Sequence, residues 1–65
     1  MCESSVYLLK DGQRTLVVAE AVKVLVSGAT VTCIDTLGER KVLERTELVE
    51  ANVLRHEILL RSRED

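Results

Sequence analysis

Short stretches rich in β-branched and other apolar residues recur along the chain, and polar turns separate them. Alternation of apolar and polar side chains over a few residues is typical of half-buried strands. The three glycines, at positions 12, 28 and 38, fall between such stretches, where tight turns are expected. The pattern therefore predicts six strands, with the sequences SVYLLK, LVVAEAVKVLV, TVTCID, RKVLER, TELVEANV and EILLR.

These strands favour an all-β fold, a small antiparallel SH3-like or Sm-like barrel of five to six strands. Within it, Val22, Val24 and Val26 are expected on one face of the second strand, and Val31 and Cys33 share a face of the third. A single domain over residues 1–61 is predicted, with residues 62–65 as a disordered tail.

A helical interpretation competes with the barrel in two places. VVAEAVKVL and ERKVLERTELVEANVLRHEILL contain good helix formers, with Glu–Arg pairs at helical spacing. The apolar residues of the second stretch fit a helical stripe only in part. Together with the β-branched valines and the regular glycine turns, this favours strands.

The length of the chain suggests that one copy alone is only marginally stable. A domain of 65 residues is marginal alone, and small domains usually need a disulfide, a metal or a second subunit. An open sheet also leaves an unpaired edge, which a second copy can cover. A homodimer is therefore expected.

Charge and composition limit the classes of function that the sequence allows. Eleven acidic residues outnumber nine basic ones, and Tyr7 is the only aromatic among Phe, Trp and Tyr, which argues against nucleic-acid binding. There is no signal-peptide pattern and no apolar run of membrane-spanning length, so a cytoplasmic protein without membrane contact is expected. Phosphate-loop and nucleophile-elbow motifs are missing, and the glutamates at 39, 44, 47 and 50 resemble a solvated face, so no enzymatic activity is predicted.

Cys2 is the strongest candidate for chemistry. A thiol directly after the initiator Met is expected to be exposed and open to oxidation. This is a cost to the protein unless the thiol has a function. Thiolates are soft ligands, and two copies related by a twofold axis would bring two of them together. A backbone nitrogen and the Cys2 sulfur form a five-membered chelate ring, so two chelates give two nitrogen and two sulfur donors, a set that suits square-planar Ni(II) or Cu(II). An ordinary cysteine without a role is the alternative.

Cys33 and His56 are weaker candidates. Cys33 lies on an alternating strand, so a buried structural thiol is favoured over a ligand or disulfide partner. His56, the only histidine, falls near a turn between the last two strands, where an exposed side chain is favoured over a ligand. A zinc site from these two residues with Cys2 and a carboxylate such as Glu3 has no support, because no C-x-x-C or H-x-x-x-H pair exists.

The order of these features resembles the CooT family of small nickel-binding proteins, formerly described as predicted RNA-binding proteins. The similarity covers nearly the whole chain: the MC start, the VYLL strand, the valine rhythm before Gly28, and the ANVLRHEILL end. TLGE at 36–39 is similar to the family's Leu-Phe-Gly-Glu turn, although Thr-Leu replaces Leu-Phe.

The resemblance implies a homodimeric β-barrel that holds one Ni(II) per dimer through Cys2 of both chains. It also implies a nickel metallochaperone for a nickel enzyme such as carbon monoxide dehydrogenase. Cys33 and His56 do not map onto family ligands. Two alternatives stay open: an Sm-like RNA-binding module, and an interaction module whose cysteine is incidental. In the first, the basic residues would gather on one face, namely Arg40, Lys41, Arg45, Arg55, Arg61 and Arg63.

Overall fold

The computed structural model describes residues 2–64, and this part of the chain contains six strands and no helix. The all-β class and the strand number predicted from the sequence are confirmed. In chain order the strands are β1 (Ser4–Lys10), β2 (Gln13–Ser27), β3 (Thr30–Asp35), β4 (Arg40–Leu43), β5 (Thr46–Asn52) and β6 (Glu57–Ser62).

The six strands form one sheet in the order β4-β3-β2-β1-β6-β5, strongly curled into a half-barrel. Four of the pairings are antiparallel, as expected for a meander. The fifth, between β1 and β6, is parallel, with Ser5 opposite Glu57 and Leu9 opposite Arg61. The pairing brings the start of β1 beside the turn that precedes β6, and it therefore determines what surrounds the N-terminal residues.

A bulge in β2 lies where this long strand passes from one partner to the next, since residues 13–21 pair with β1 and residues 21–27 with β3. Ala21 pairs with Asp35 and Lys23 with Ile34, so Val22 is an extra residue in the ladder. Ala21 is buried and Val22 is 54% exposed. The bulge interrupts the alternation expected for Val22, Val24 and Val26, because an extra residue reverses which side chains face inward.

The core is small. Its buried apolar members are Val6, Ala21, Val31, Cys33 and Leu60, which come from β1, β2, β3 and β6. Val31 and Cys33 both point inward, as the alternation of β3 predicts. Among residues 2–64, ten large apolar side chains remain substantially exposed, so much of the apolar surface of one subunit faces solvent.

The turns match the glycine positions. Asp11 and Gly12 both have positive φ, 53° and 75°, the conformation that a two-residue hairpin between twisted strands requires. Gly28 lies in the turn between β2 and β3. In the turn that contains Gly38, a carboxylate oxygen of Asp35 accepts hydrogen bonds from the amides of Leu37 and Glu39, each at 2.9 Å.

The last strand ends one residue after residue 61, where the sequence predicts the end of the domain. Ser62 is the last residue of β6 and is buried, and the Arg63 amide donates to the Arg45 carbonyl at 2.7 Å. Asp65 lies outside the described residues, and the disordered tail stays a prediction. No helix in residues 2–64 is long and apolar enough to cross a membrane.

Candidate metal centre

Cys2 precedes β1, and its side chain is exposed with a free thiol. It lies at the edge of a recess of about 260 Å³, and the recess is formed where the start of β1 meets the hairpin of β5 and β6. The other lining residues are Ser4, Ala51, Asn52, Val53, His56 and Ile58. Cys2 thus combines solvent access with a place in the lining of a defined recess.

His56 lines the same recess as Cys2. It ends the turn between β5 and β6, where its φ of 56° is left-handed. This turn placement agrees with the sequence prediction for His56. Its proximity to Cys2 was not predicted, because it depends on the parallel pairing of β1 with β6, for which the local sequence has no signal.

Cys33 lies elsewhere, in the core, where it is 1% exposed and free. Burial raises the pKa of its thiol above the ordinary value, because desolvation disfavours the thiolate. A thiol that resists ionisation is a poor metal ligand and a poor nucleophile. The structural role predicted for Cys33 agrees with this environment.

The recess that Cys33 lines is separate and larger, about 490 Å³, and lies beside the turn between β3 and β4. Its rim carries acidic and basic side chains, among them Glu20, Glu39 and Lys41. The carboxylate of Asp35 in this recess is engaged by the turn amides. Hence Cys2 and Cys33 occupy different surroundings.

No group of three or more His, Cys, Asp or Glu side chains among residues 2–64 is arranged to hold a metal ion. Cys2, Cys33, His56 and Glu3 therefore do not form a tetrahedral set within one subunit. Cys2 and His56 line one recess, so a subunit contributes one cysteine and one histidine to it.

Three of the six basic residues considered for RNA binding, Arg45, Arg55 and Arg61, contact carboxylates. Arg61 contacts Glu47 at 2.6 Å, and Arg45 contacts Glu64 at 2.7 Å. The hydrogen bond and charge of Arg45 lower the pKa of Glu64, and Glu64 in turn raises that of Arg45. Neighbouring carboxylates of this kind weaken the positive potential that a phosphate backbone needs.

Fold and site together define a small all-β half-barrel with an accessible recess that a cysteine and a histidine help to line. Residues 1–61 match the CooT family, described as CO dehydrogenase accessory protein CooT, and the chain belongs to that family. This confirms the resemblance found in the sequence.

A crystal structure described as CooT from Carboxydothermus hydrogenoformans superposes with a TM-score of 0.82. It is 23% identical, and the match covers 98% of this chain and 100% of that one. At this level of identity the likeness establishes the fold. A comparison with curated proteins gave no significant match.

Proposed function

We propose that this chain is a homodimeric Ni(II)-binding protein that delivers nickel to an enzyme such as CO dehydrogenase. One Ni(II), the cargo of the protein, is held between the Cys2 residues of two subunits. The observation that carries the proposal is the exposed, free thiol of Cys2 at the edge of a recess, in a member of a CO dehydrogenase accessory family.

The donor chemistry favours a borderline or soft metal. A thiolate suits Ni(II), copper and zinc, whereas Mg²⁺ and Ca²⁺ need oxygen ligands. Among residues 2–64, those that line the recess include no carboxylate. Glu57, which follows His56, has a carboxylate oxygen 3.5 Å from Arg14 and 3.6 Å from Arg55, so basic groups already satisfy it.

The exposed apolar surface supports a dimer. The few buried side chains make a small core, while Val53 and Leu54, in the turn beside Cys2, are 80% and 90% exposed. β4 and β5 are the outermost strands of the sheet, with one edge each available to a partner. A second copy that covered the turn would bury apolar surface and bring the two thiols together, as a twofold axis near Cys2 requires.

An exposed site suits transfer of metal rather than its retention. Cys2 is exposed, so a client enzyme can approach an ion bound there directly. The protein itself then has no catalytic role. We place it in the cytoplasm, where thiols stay reduced and available for metal.

The test is titration of the purified protein with Ni(II), followed by the thiolate-to-nickel absorbance and by native mass spectrometry. We expect one Ni(II) per dimer for the parent and loss of binding for Cys2→Ser. Cys33→Ala is the matched control, since it removes the other thiol and should still bind nickel. Cys2→Ser protein that binds Ni(II) as tightly as the parent would refute the proposal.

The same mass spectrum reports whether Met1, which lies outside the described residues, is retained. Its removal would free the Cys2 amine as a further nitrogen donor.

The RNA-binding alternative is less well supported. Arg45, Arg55 and Arg61 each contact a glutamate. The net charge is −2, and Tyr7 is the one stacking aromatic, whose ring is covered by the Arg14 guanidinium at 4.3 Å. Binding of single-stranded RNA that weakens steeply with salt would favour this alternative.

A further inference from the structure

Among the described residues that line the Cys2 recess, His56 is the other one whose side chain commonly binds metals. It reaches that position through the parallel pairing of β1 with β6, which sets Ser5 opposite Glu57. His56 directly precedes Glu57, so it lies beside the segment that runs from Cys2 into β1. Sulfur and imidazole nitrogen are donors that Ni(II) accepts together.

Two backbone hydrogen bonds of His56 and one side-chain hydrogen bond of Asn52 hold the turn in place. The Ser5 amide donates to the His56 carbonyl at 2.9 Å, which ties the turn to β1. The His56 amide donates to the Val53 carbonyl at 3.4 Å, and the Asn52 side-chain oxygen accepts from the Arg55 amide at 3.0 Å. These hydrogen bonds hold the backbone of the turn against the start of β1, and Cys2 and His56 line the same recess there.

The other residues that line the recess offer weaker metal donors than Cys2 and His56 do. Ala51, Val53 and Ile58 contribute apolar surface to the recess, and Ser4 and Asn52 contribute neutral polar groups. One subunit thus offers one sulfur and one imidazole nitrogen. Two copies related by a twofold axis offer two of each, a complete four-donor set.

We propose that His56 is a nickel ligand in each subunit, so that the metal is held by two thiolates and two imidazoles across the dimer. This rests on the proposed nickel function and assigns the nitrogen donors to side chains instead of backbone nitrogens. The site is then incomplete in a single subunit, so metal binding and dimer formation stabilise each other.

The test uses Ni(II)-loaded dimer and X-ray absorption at the nickel edge. Imidazole ligands give outer-shell scattering from ring atoms that backbone nitrogens do not give, and we expect this signature in the parent. His56→Asn should remove it and weaken Ni(II) binding at least about tenfold, the scale on which even outer-shell partners act. Asn is chosen because it tolerates a left-handed turn position.

Arg45→Asn is the matched control, because Arg45 is another exposed residue with positive φ, 52°, and does not line the recess. It should bind nickel as the parent does. The melting temperature and the sedimentation of each variant show whether fold and dimer persist. The parent spectrum alone decides the ligand type if His56→Asn fails to fold.

The outcomes separate the two proposals. If Cys2→Ser loses nickel but the parent shows no imidazole scattering and His56→Asn binds normally, His56 is not a ligand and the nickel function stands. If Cys2→Ser and His56→Asn both bind as the parent does, both proposals are wrong.

Discussion

At the scale of single residues, the two cysteines show how position decides chemistry. Cys2 is exposed in a recess, and Cys33 is 1% exposed among Val6, Val31 and Leu60. The sequence predicts both environments, since a chain start is seldom buried and Cys33 alternates with Val31 along a strand. The proximity of His56 to Cys2 lay beyond prediction, because residues 54 positions apart meet only through long-range strand pairing.

Cys33→Ser should destabilise the protein by about 1–3 kcal/mol, because it buries a hydroxyl in an apolar core. The free energy of unfolding in urea measures this. Cys2→Ser is the matched control and should leave the stability of the metal-free protein unchanged, since Cys2 is exposed. Equal stability of the two serine variants would contradict the burial of Cys33.

At the scale of elements, the positions of the strands and turns could be predicted from the sequence, but the pairing between strands could not. Alternation and glycine spacing locate β1 to β6 because they report on local burial and backbone conformation. The bulge at Val22 and the parallel β1–β6 pair arise from packing between distant segments. The half-barrel and its recesses follow from those pairings, and so could not be predicted in detail.

Asp35→Ala should loosen the turn between β3 and β4, because the Asp35 carboxylate accepts hydrogen bonds from two amides, those of Leu37 and Glu39. We expect a loss of about 1–2 kcal/mol in unfolding free energy. Hydrogen exchange should become faster at the Leu37 and Glu39 amides. Asp35→Asn keeps one acceptor oxygen, and a loss as large as that of Asp35→Ala would argue against this capping role.

At the scale of the whole molecule, a small core contrasts with abundant exposed apolar surface. Five buried apolar side chains form the core among residues 2–64, and ten large apolar ones are at least 42% exposed. The proposed assembly of two copies would resolve this contrast, because burial of apolar area stabilises association. The short length of the chain had already suggested a second copy, but the sequence did not indicate which surface it covers.

Val53→Lys should shift the dimer toward monomer, because it places a charge on the apolar turn beside Cys2. Sedimentation over a range of concentrations measures the shift, which we expect to be at least about tenfold in dissociation constant, or about 1.4 kcal/mol. Leu37→Lys is the matched control, since Leu37 is similarly exposed, at 82%, but lines the other recess. Equal effects of the two lysines would place the interface elsewhere.

The burial of Cys33 has a practical consequence for the intact molecule. Since a maleimide reacts with accessible thiolates, it should modify each native subunit once, at Cys2. Bis-maleimides of different length can then report the distance between the Cys2 sulfurs of two subunits in an assembly. Efficient cross-linking by the shortest reagent would mean that the two Cys2 sulfurs can approach each other to within the length of that reagent, and bound nickel should protect them from it.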